Sequence, residues 1–314
     1  MRTSLKLLAL FMFVSTLPIA LLSTAVYKSN EKQIEEEIAN QLKVIAEAHV
    51  ARINEIQHKN LERLNGVTSR TQLRFSLEEY NTTQNQEELE RIEHILRDAL
   101  GSILDFEQMT LFDVEGKQLL TVHEQNDFSG AFVQHIHNNR EKLLIQNTVD
   151  VFFDEIDRAH ILLAGPLIRQ DKTLGILTIS VAANDLTNIV QTYAGLGKTG
   201  EVIIAVQNED NVYLVGQRRF DDVPRRQILP KDRISPPLSR AIQGKSNIFT
   251  DVMDYRGVPV FASTQYVPGL QWGIVAKIDR KEALITLDDW KKFIATSIVF
   301  ALAISWVLAW IAAQ

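Results

Sequence analysis

Two long apolar runs bracket the chain. Leu7–Tyr27, LLALFMFVSTLPIALLSTAVY, follows Arg2 and Lys6; Phe293–Ala313, FIATSIVFALAISWVLAWIAA, follows Lys291 and Lys292. Each is long enough to cross a hydrocarbon core as a helix, which takes about 20 residues. Trp306 and Trp310 fall near the far end of the second run, where indole rings favour the membrane–water boundary. Pro18 lies inside the first, where a membrane helix tolerates a kink. The first run also admits a cleaved signal peptide, with small residues at Ser23-Thr24-Ala25, but it exceeds a usual signal core of about 7–15 residues. An uncleaved anchor is therefore expected. With Arg2 and Lys6 held inside, the loop from Lys28 onward lies outside. This puts two spans in a membrane, with residues 28–290 on its outer side. Lys291 and Lys292 then sit on the outer side, after a long exported domain where charge bias weighs less. The last span delivers the chain to the cytoplasm, and an output module is expected beyond it.

Between the runs the period changes twice. From Lys28 to about Tyr80, Ile34, Ile38, Leu42, Ile45, Ile53, Ile56, Leu61, Leu64 and Val67 recur at mostly three- and four-residue steps. That spacing predicts one long amphipathic helix. Its apolar stripe is covered either by a second copy, in a parallel homodimer seam, or by the chain's own domain. A second helix is expected over Glu87–Phe106. Hairpins follow, from Met109 to Val122 and from His160 to Ala182, then a helix from Asp185. The same order returns with hairpins over Glu201–Gly216 and Pro259–Ile278 and a helix from Asp279. Two similar tandem units after one long helix define an α+β architecture with antiparallel sheets. The expected divisions are 1–27, cytoplasmic start and first span; 28–80, long helix; 81–194, distal unit; 195–290, proximal unit; and 291–314, second span.

Composition narrows the function classes. The net charge is −6, with no basic patterning, which argues against nucleic acid as a partner. The chain has no cysteine, which excludes disulfides and thiolate metal sites.

Three stretches resemble a known family. VFFDEIDRAHILLAGPLIRQDKTLGILTISVAANDL and MDYRGVPVFASTQYVPGLQWGIVAKIDRKEAL look like the closing halves of the two units of a double Cache domain. GLGKTGEVIIAVQNEDNVYLV looks like the opening of the second unit. The resemblance implies two PAS-like units serving as the extracytoplasmic sensor of a bacterial receptor of the histidine kinase, chemoreceptor or diguanylate cyclase type, held in the inner membrane with residues 28–290 in the periplasm or extracellular space. It further implies a small-molecule ligand in the membrane-distal unit.

Candidate chemistry is sparse. Gly197-Lys198-Thr199 lacks the earlier glycine and the strand-before-helix order of a phosphate loop, so it reads as a turn between the units. His123, His135, His137 and His160 do not show metal-ligand spacing and read as surface or pocket-lining groups. Arg218, Arg219, Arg225 and Arg226 read as a solvated basic loop. No nucleophile motif occurs, and no catalytic residue, metal or cofactor is expected. A membrane-anchored assembly protein and an extracytoplasmic hydrolase are the other function classes.

For the ligand, the resemblance supplies a comparison. Amino-acid-binding relatives carry an R-x-W-Y motif and an aspartate that holds the ammonium. No R-x-W-Y occurs here, and Ser180 stands at the aspartate's place. A buried ammonium without a carboxylate partner is costly, so the expected ligand is not an α-amino acid. His135, Phe153, Asp154, Arg158 and Ser180 are the expected ligand-binding residues.

Overall fold

The computed structural model describes all residues except 1, 104, 124–128, 154–158, 209–210, 217, 221–227, 231–233 and 313–314; within helices and strands a few further side chains, including those of 2–12, 15 and 16, are also left aside. The chain starts with a helix of 67 residues, α1 (Arg2–Thr68). Its stripe faces the chain's own domain: Leu42, Ala46, Ile53, Ile56, Leu64 and Val67 enter the main core, and Ile38, Ile45 and Val50 pack against it. The helix does not continue to Tyr80. The Thr68 hydroxyl bonds back to the Leu64 carbonyl at 3.1 Å, and Arg70 is extended at φ −58°, ψ 118°. A hydroxyl competing for the helical carbonyl weakens the last turn, and the Arg70 guanidinium is held by the Ile95 carbonyl at 3.3 Å. The chain turns there into α2 (Thr71–Thr83) and α3 (Gln86–Ser102). Left-handed Gln84 ends α2, and the Asn85 side chain accepts the Glu87 N–H to cap α3.

The distal sheet contains β1 (Phe106–Phe112), β2 (Gln118–His123), β3 (Thr148–Phe153), β4 (Ala159–Arg169) and β5 (Lys172–Ala182), with α4 (Ser129–Leu143) between β2 and β3. Its spatial order is β2-β1-β5-β4-β3. The β4–β5 hairpin turns on Gln170 and Asp171, both at positive φ, which matches the twist of the strands they join. One sheet face lies on α1–α3 through Met109, Leu111, Leu163, Leu177 and Ile179. The other meets Phe132, Ile136 and Leu143 of α4 through Phe112, Leu162, Ala164 and Ile176.

Helix α5 (Asn184–Gln191) leads to the proximal unit. This holds β6 (Glu201–Asn208), β7 (Asn211–Val215), β8 (Ile228–Pro230), α6 (Pro236–Ile242), β9 (Ile248–Met253), β10 (Pro259–Val267) and β11 (Trp272–Asp279). The order β8-β7-β6-β11-β10-β9 repeats the distal arrangement with an added edge strand. The hairpins expected from alternation are present. The covering helices α4 and α6 and the edge strands β3, β8 and β9 carry weaker periodicity and emerge only in the structure.

Asp279 precedes α7 (Arg280–Ala283), and α8 (Ile285–Ala312) follows. Among the described residues one helix is long and apolar enough to cross a membrane, over Ile285–Leu308. Phe293, Val299, Phe300 and Trp306 stand exposed along it. It packs along α1, and Arg280 at the start of α7 pairs with Glu35 of α1 at 2.8 Å. The first apolar run, Leu7–Tyr27, is helical within α1.

Candidate ligand site in the distal unit

The distal sheet face that meets α4 changes character along its length. Near Phe112 and Ile176 it is apolar. Toward the other end it carries Gln108, Thr110, Thr178 and Ser180, all fully buried, and His160, 3% exposed. These positions face one way because alternate strand residues do and because the register pairs Gln108 with Ser180 and Thr110 with Thr178. Buried polar groups are the informative exception in a core.

The pairing is irregular where it matters. Phe106 stands opposite Val181 and Gln108 opposite Ser180, so Glu107 is an extra residue in β1. Such a bulge redirects the side chain it adds. Glu107 Oε2 accepts the Ser180 hydroxyl at 2.8 Å and lies 2.6 Å from His160 Nδ1. Both contacts fall on Oε2, and Oε1 accepts nothing among the described residues. The Glu107 side chain is 23% exposed against 4% for His160, so the carboxylate reaches the open side of the cluster while the imidazole backs it. His160 stacks on Phe152 with ring centroids 5.1 Å apart, and Phe152 meets Phe132 of α4 edge-on at 5.8 Å. Around them runs a neutral network: Gln108 Nε2 donates to Thr110 Oγ1 at 3.1 Å, the Thr110 and Thr121 hydroxyls are 3.0 Å apart, and Thr178 donates to the Thr110 carbonyl at 3.1 Å. The result is one accessible carboxylate, held by a hydroxyl and an imidazole beside an aromatic wall. In a poorly hydrated setting such an oxygen is a strong acceptor for an ammonium or hydroxyl group.

Of the residues expected to bind ligand, Ser180 belongs to this cluster. His135 lies on α4 and Phe153 ends β3, but their side chains are outside the described ones, and Asp154 and Arg158 fall in the undescribed 154–158. Sequence reading missed Glu107 and the joint placement of His160, Gln108 and Thr110. One signal was present: Phe106 and Met109, both core residues, are three apart, an odd step that a regular strand does not allow.

The basic cluster differs from the expected solvated loop. Arg219 Nη1 donates to the Gly200 carbonyl at 2.7 Å, and the Arg218 guanidinium lies 3.7 Å above the Tyr255 ring; Arg225 and Arg226 are outside the described residues. Gly197-Lys198-Thr199 is a turn between the units, as expected. The Lys198 N–H donates to Glu282 Oε1 at 2.8 Å and the Thr199 N–H to Glu282 Oε2 at 2.7 Å.

A profile of the Cache domain family, in its double form, matches residues 27–287. The chain belongs to the double Cache family. Solved structures agree with the fold. The periplasmic sensory domain of the Campylobacter jejuni chemoreceptor Tlp1 has a TM-score of 0.56 at 12% identity, with 80% of this chain and 98% of that one covered. The sensory domain of C. jejuni Tlp3 with isoleucine bound has a TM-score of 0.54 at 12% identity, covering 80% and 96%. The ligand-binding domain of Pseudomonas fluorescens CtaA in complex with L-isoleucine has a TM-score of 0.52 at 14% identity, covering 82% and 98%. Among curated proteins none matches. These structures, sensory or ligand-binding domains of chemoreceptors, share the fold of this chain.

The exclusion of α-amino acids as ligands is corrected. Double Cache domains related to this chain hold isoleucine, and that finding conflicts with the exclusion. The physical premise also fails here. Ser180 is neutral, but a carboxylate stands 2.8 Å from its hydroxyl, supplied by Glu107 from the neighbouring strand.

Proposed function

We propose that this chain is the sensing part of a bacterial membrane receptor and that its distal unit binds a small ligand bearing an ammonium group, an α-amino acid or a related amine. The observation that carries the reading is the Glu107 carboxylate, positioned by Ser180 and His160 with one oxygen unclaimed by described residues. The ligand's ammonium docks on Glu107, and Phe152 with the buried hydroxyls lines the rest of the site. The isoleucine complexes of Tlp3 and CtaA support this ligand class.

The relay in this reading follows the chain. Strand β5 carries Ser180 and continues into α5 and the turn at 195–199, which Glu282 of α7 grips. From α1, Gln41 Nε2 donates to the Gly195 carbonyl at 2.7 Å. A change at the distal face thus reaches α8 through a short series of direct contacts, and α8 crosses the membrane toward an output on the cytoplasmic side. The test is a thermal-shift screen of the full chain in detergent micelles against amino acids and amines, since a ligand of the folded state raises the midpoint. At least one ammonium compound is expected to shift the wild type and leave Glu107→Gln unmoved. A ligand that shifts both equally would overturn the reading.

A further inference from the structure

The proximal unit buries a charge cluster that the sensing account does not use. Lys277 on β11 is 1% exposed, as is Glu201 on β6, and Asp254 is 7% exposed. Lys277 Nζ lies 2.7 Å from Glu201 Oε1, a close ion pair without the alignment of a hydrogen bond, and it donates to Asp254 Oδ2. The ammonium also stands 4.6 Å from the Tyr255 ring centroid, within cation–π range. Each carboxylate is further held. The Arg219 N–H donates to Glu201 Oε2 at 2.9 Å, and Arg256 donates to Asp254 through Nε at 2.7 Å. Two carboxylates and an aromatic face around one ammonium make a complete alkylammonium cage.

Its position follows from the repeat. The central strand pair of the distal sheet sets Gln108 opposite Ser180, and the matching pair of the proximal sheet sets Glu201 opposite Lys277. Across the next strand, Ser180 faces Leu162 and Lys277 faces Ala262. Both sites share a sheet face with the covering helix: α4 in the distal unit, α6 in the proximal one. Helix α6 presses so closely that a Cβ at Gly273 would sit 2.7 Å from the Ile242 nitrogen. Lys277 thus stands on β11 between β6 and β10, as Ser180 beside Glu107 stands on β5 between β1 and β4, each on the face that the covering helix packs against.

We propose that the proximal unit contains an alkylammonium-binding site filled by the chain's own Lys277, a tethered ligand that holds this unit permanently in its occupied form. The proximal unit then does not compete for external ligand and passes on what the distal unit does. Removing the lysine side chain leaves two buried carboxylates short of one cation, which is strongly destabilising, and opens a space that a free amine fits.

The test uses the full chain in detergent micelles, in a Glu107→Gln background so that the distal carboxylate does not respond. Lys277→Ala removes the equivalent of n-propylammonium, and thermal unfolding is followed with n-propylammonium chloride, 1-propanol or sodium chloride. The midpoint of the double variant should fall and then rise with the logarithm of n-propylammonium concentration, with no comparable rise from 1-propanol or sodium chloride. Glu107→Gln with Lys277 intact should not respond to the amine. If the double variant does not fold unaided, refolding from urea gives the same answer: recovery only with the amine supports the site, and recovery with none of the three overturns it. Equal rescue by 1-propanol, no rescue beyond sodium chloride, or an equal shift with Lys277 present would also overturn it.

Discussion

Glu107, Ser180 and His160 divide their work unequally. Glu107 supplies charge, while Ser180 and His160 hold it in place from the buried side. Replacing Ser180 by alanine removes one neutral donor to the carboxylate and should weaken ligand binding about fivefold, the scale of a single hydrogen bond of ~1 kcal/mol. Glu107→Gln removes a charge-assisted contact of roughly 1.5–3 kcal/mol and should cost tenfold or more. Titration calorimetry on the two variants checks the order. In the proximal unit, burial works to raise the Asp254 carboxyl, but Lys277, Arg256 and the Val258 N–H hold it below its ordinary 3.8. Burial likewise opposes, and the Thr199 hydroxyl with the Lys198 and Thr199 N–H groups outweighs it, so that Glu282 lies below its ordinary 4.5. Groups lowered on folding stabilise above their unfolded values, and the gain is lost as pH falls through the folded ones. The unfolding midpoint should therefore hold down to about pH 5 and fall below it, with a shallower acid slope in Asp254→Asn. At this scale the sequence was partly legible. Spacing after Gly175 singled out Ser180, whereas Glu107 was hidden because a bulge breaks the alternation that reveals which residues share a face.

Among the elements, α1 and α7 are the ones the proposed relay runs through. The apolar stripe of α1 left two coverings open, and the structure places Ile56 at 5% exposure in the chain's own core. The chain has no native cysteine, so single cysteines report cleanly. Ile56→Cys should resist a maleimide in the folded protein, while cysteines at Glu36 and Lys43, both exposed, should react at once. Rapid labelling at Ile56 would mean that the helix stands off its domain. Helix α7 is short, but its Glu282 holds the turn between the units by three bonds, from the Lys198 and Thr199 N–H groups and the Thr199 hydroxyl. Glu282→Ala should leave ligand affinity within about twofold, the scale expected for a change remote from the site, while reducing the ligand-induced movement of α8. A spin-label pair spanning α1 and α8, measured with and without ligand, reads that movement; an undiminished change in Glu282→Ala would remove Glu282 from the relay. Alternation and helical period revealed the paired hairpins and the long helix. The break at Ser69-Arg70 was not visible because it rests on one back-bonding hydroxyl and a contact with α3, both of which need the tertiary fold.

Across the whole molecule, the two proposals give two units of one design different ends. Each has a central strand pair, a covering helix and a carboxylate on the face between them. The distal unit leaves that carboxylate partly exposed, and the proximal unit closes its own with Lys277. Duplication was legible in the order of hairpins; the division of labour was not, because it depends on which cross-strand neighbours meet. The most direct measurement is titration calorimetry of amino acids and amines into the full chain in detergent, wild type beside Glu107→Gln. The account predicts that an ammonium-bearing compound binds the wild type and binds Glu107→Gln at least tenfold more weakly, in line with loss of a charge-assisted contact. A ligand bound equally by both proteins, or one that binds only after its ammonium is removed, would contradict it.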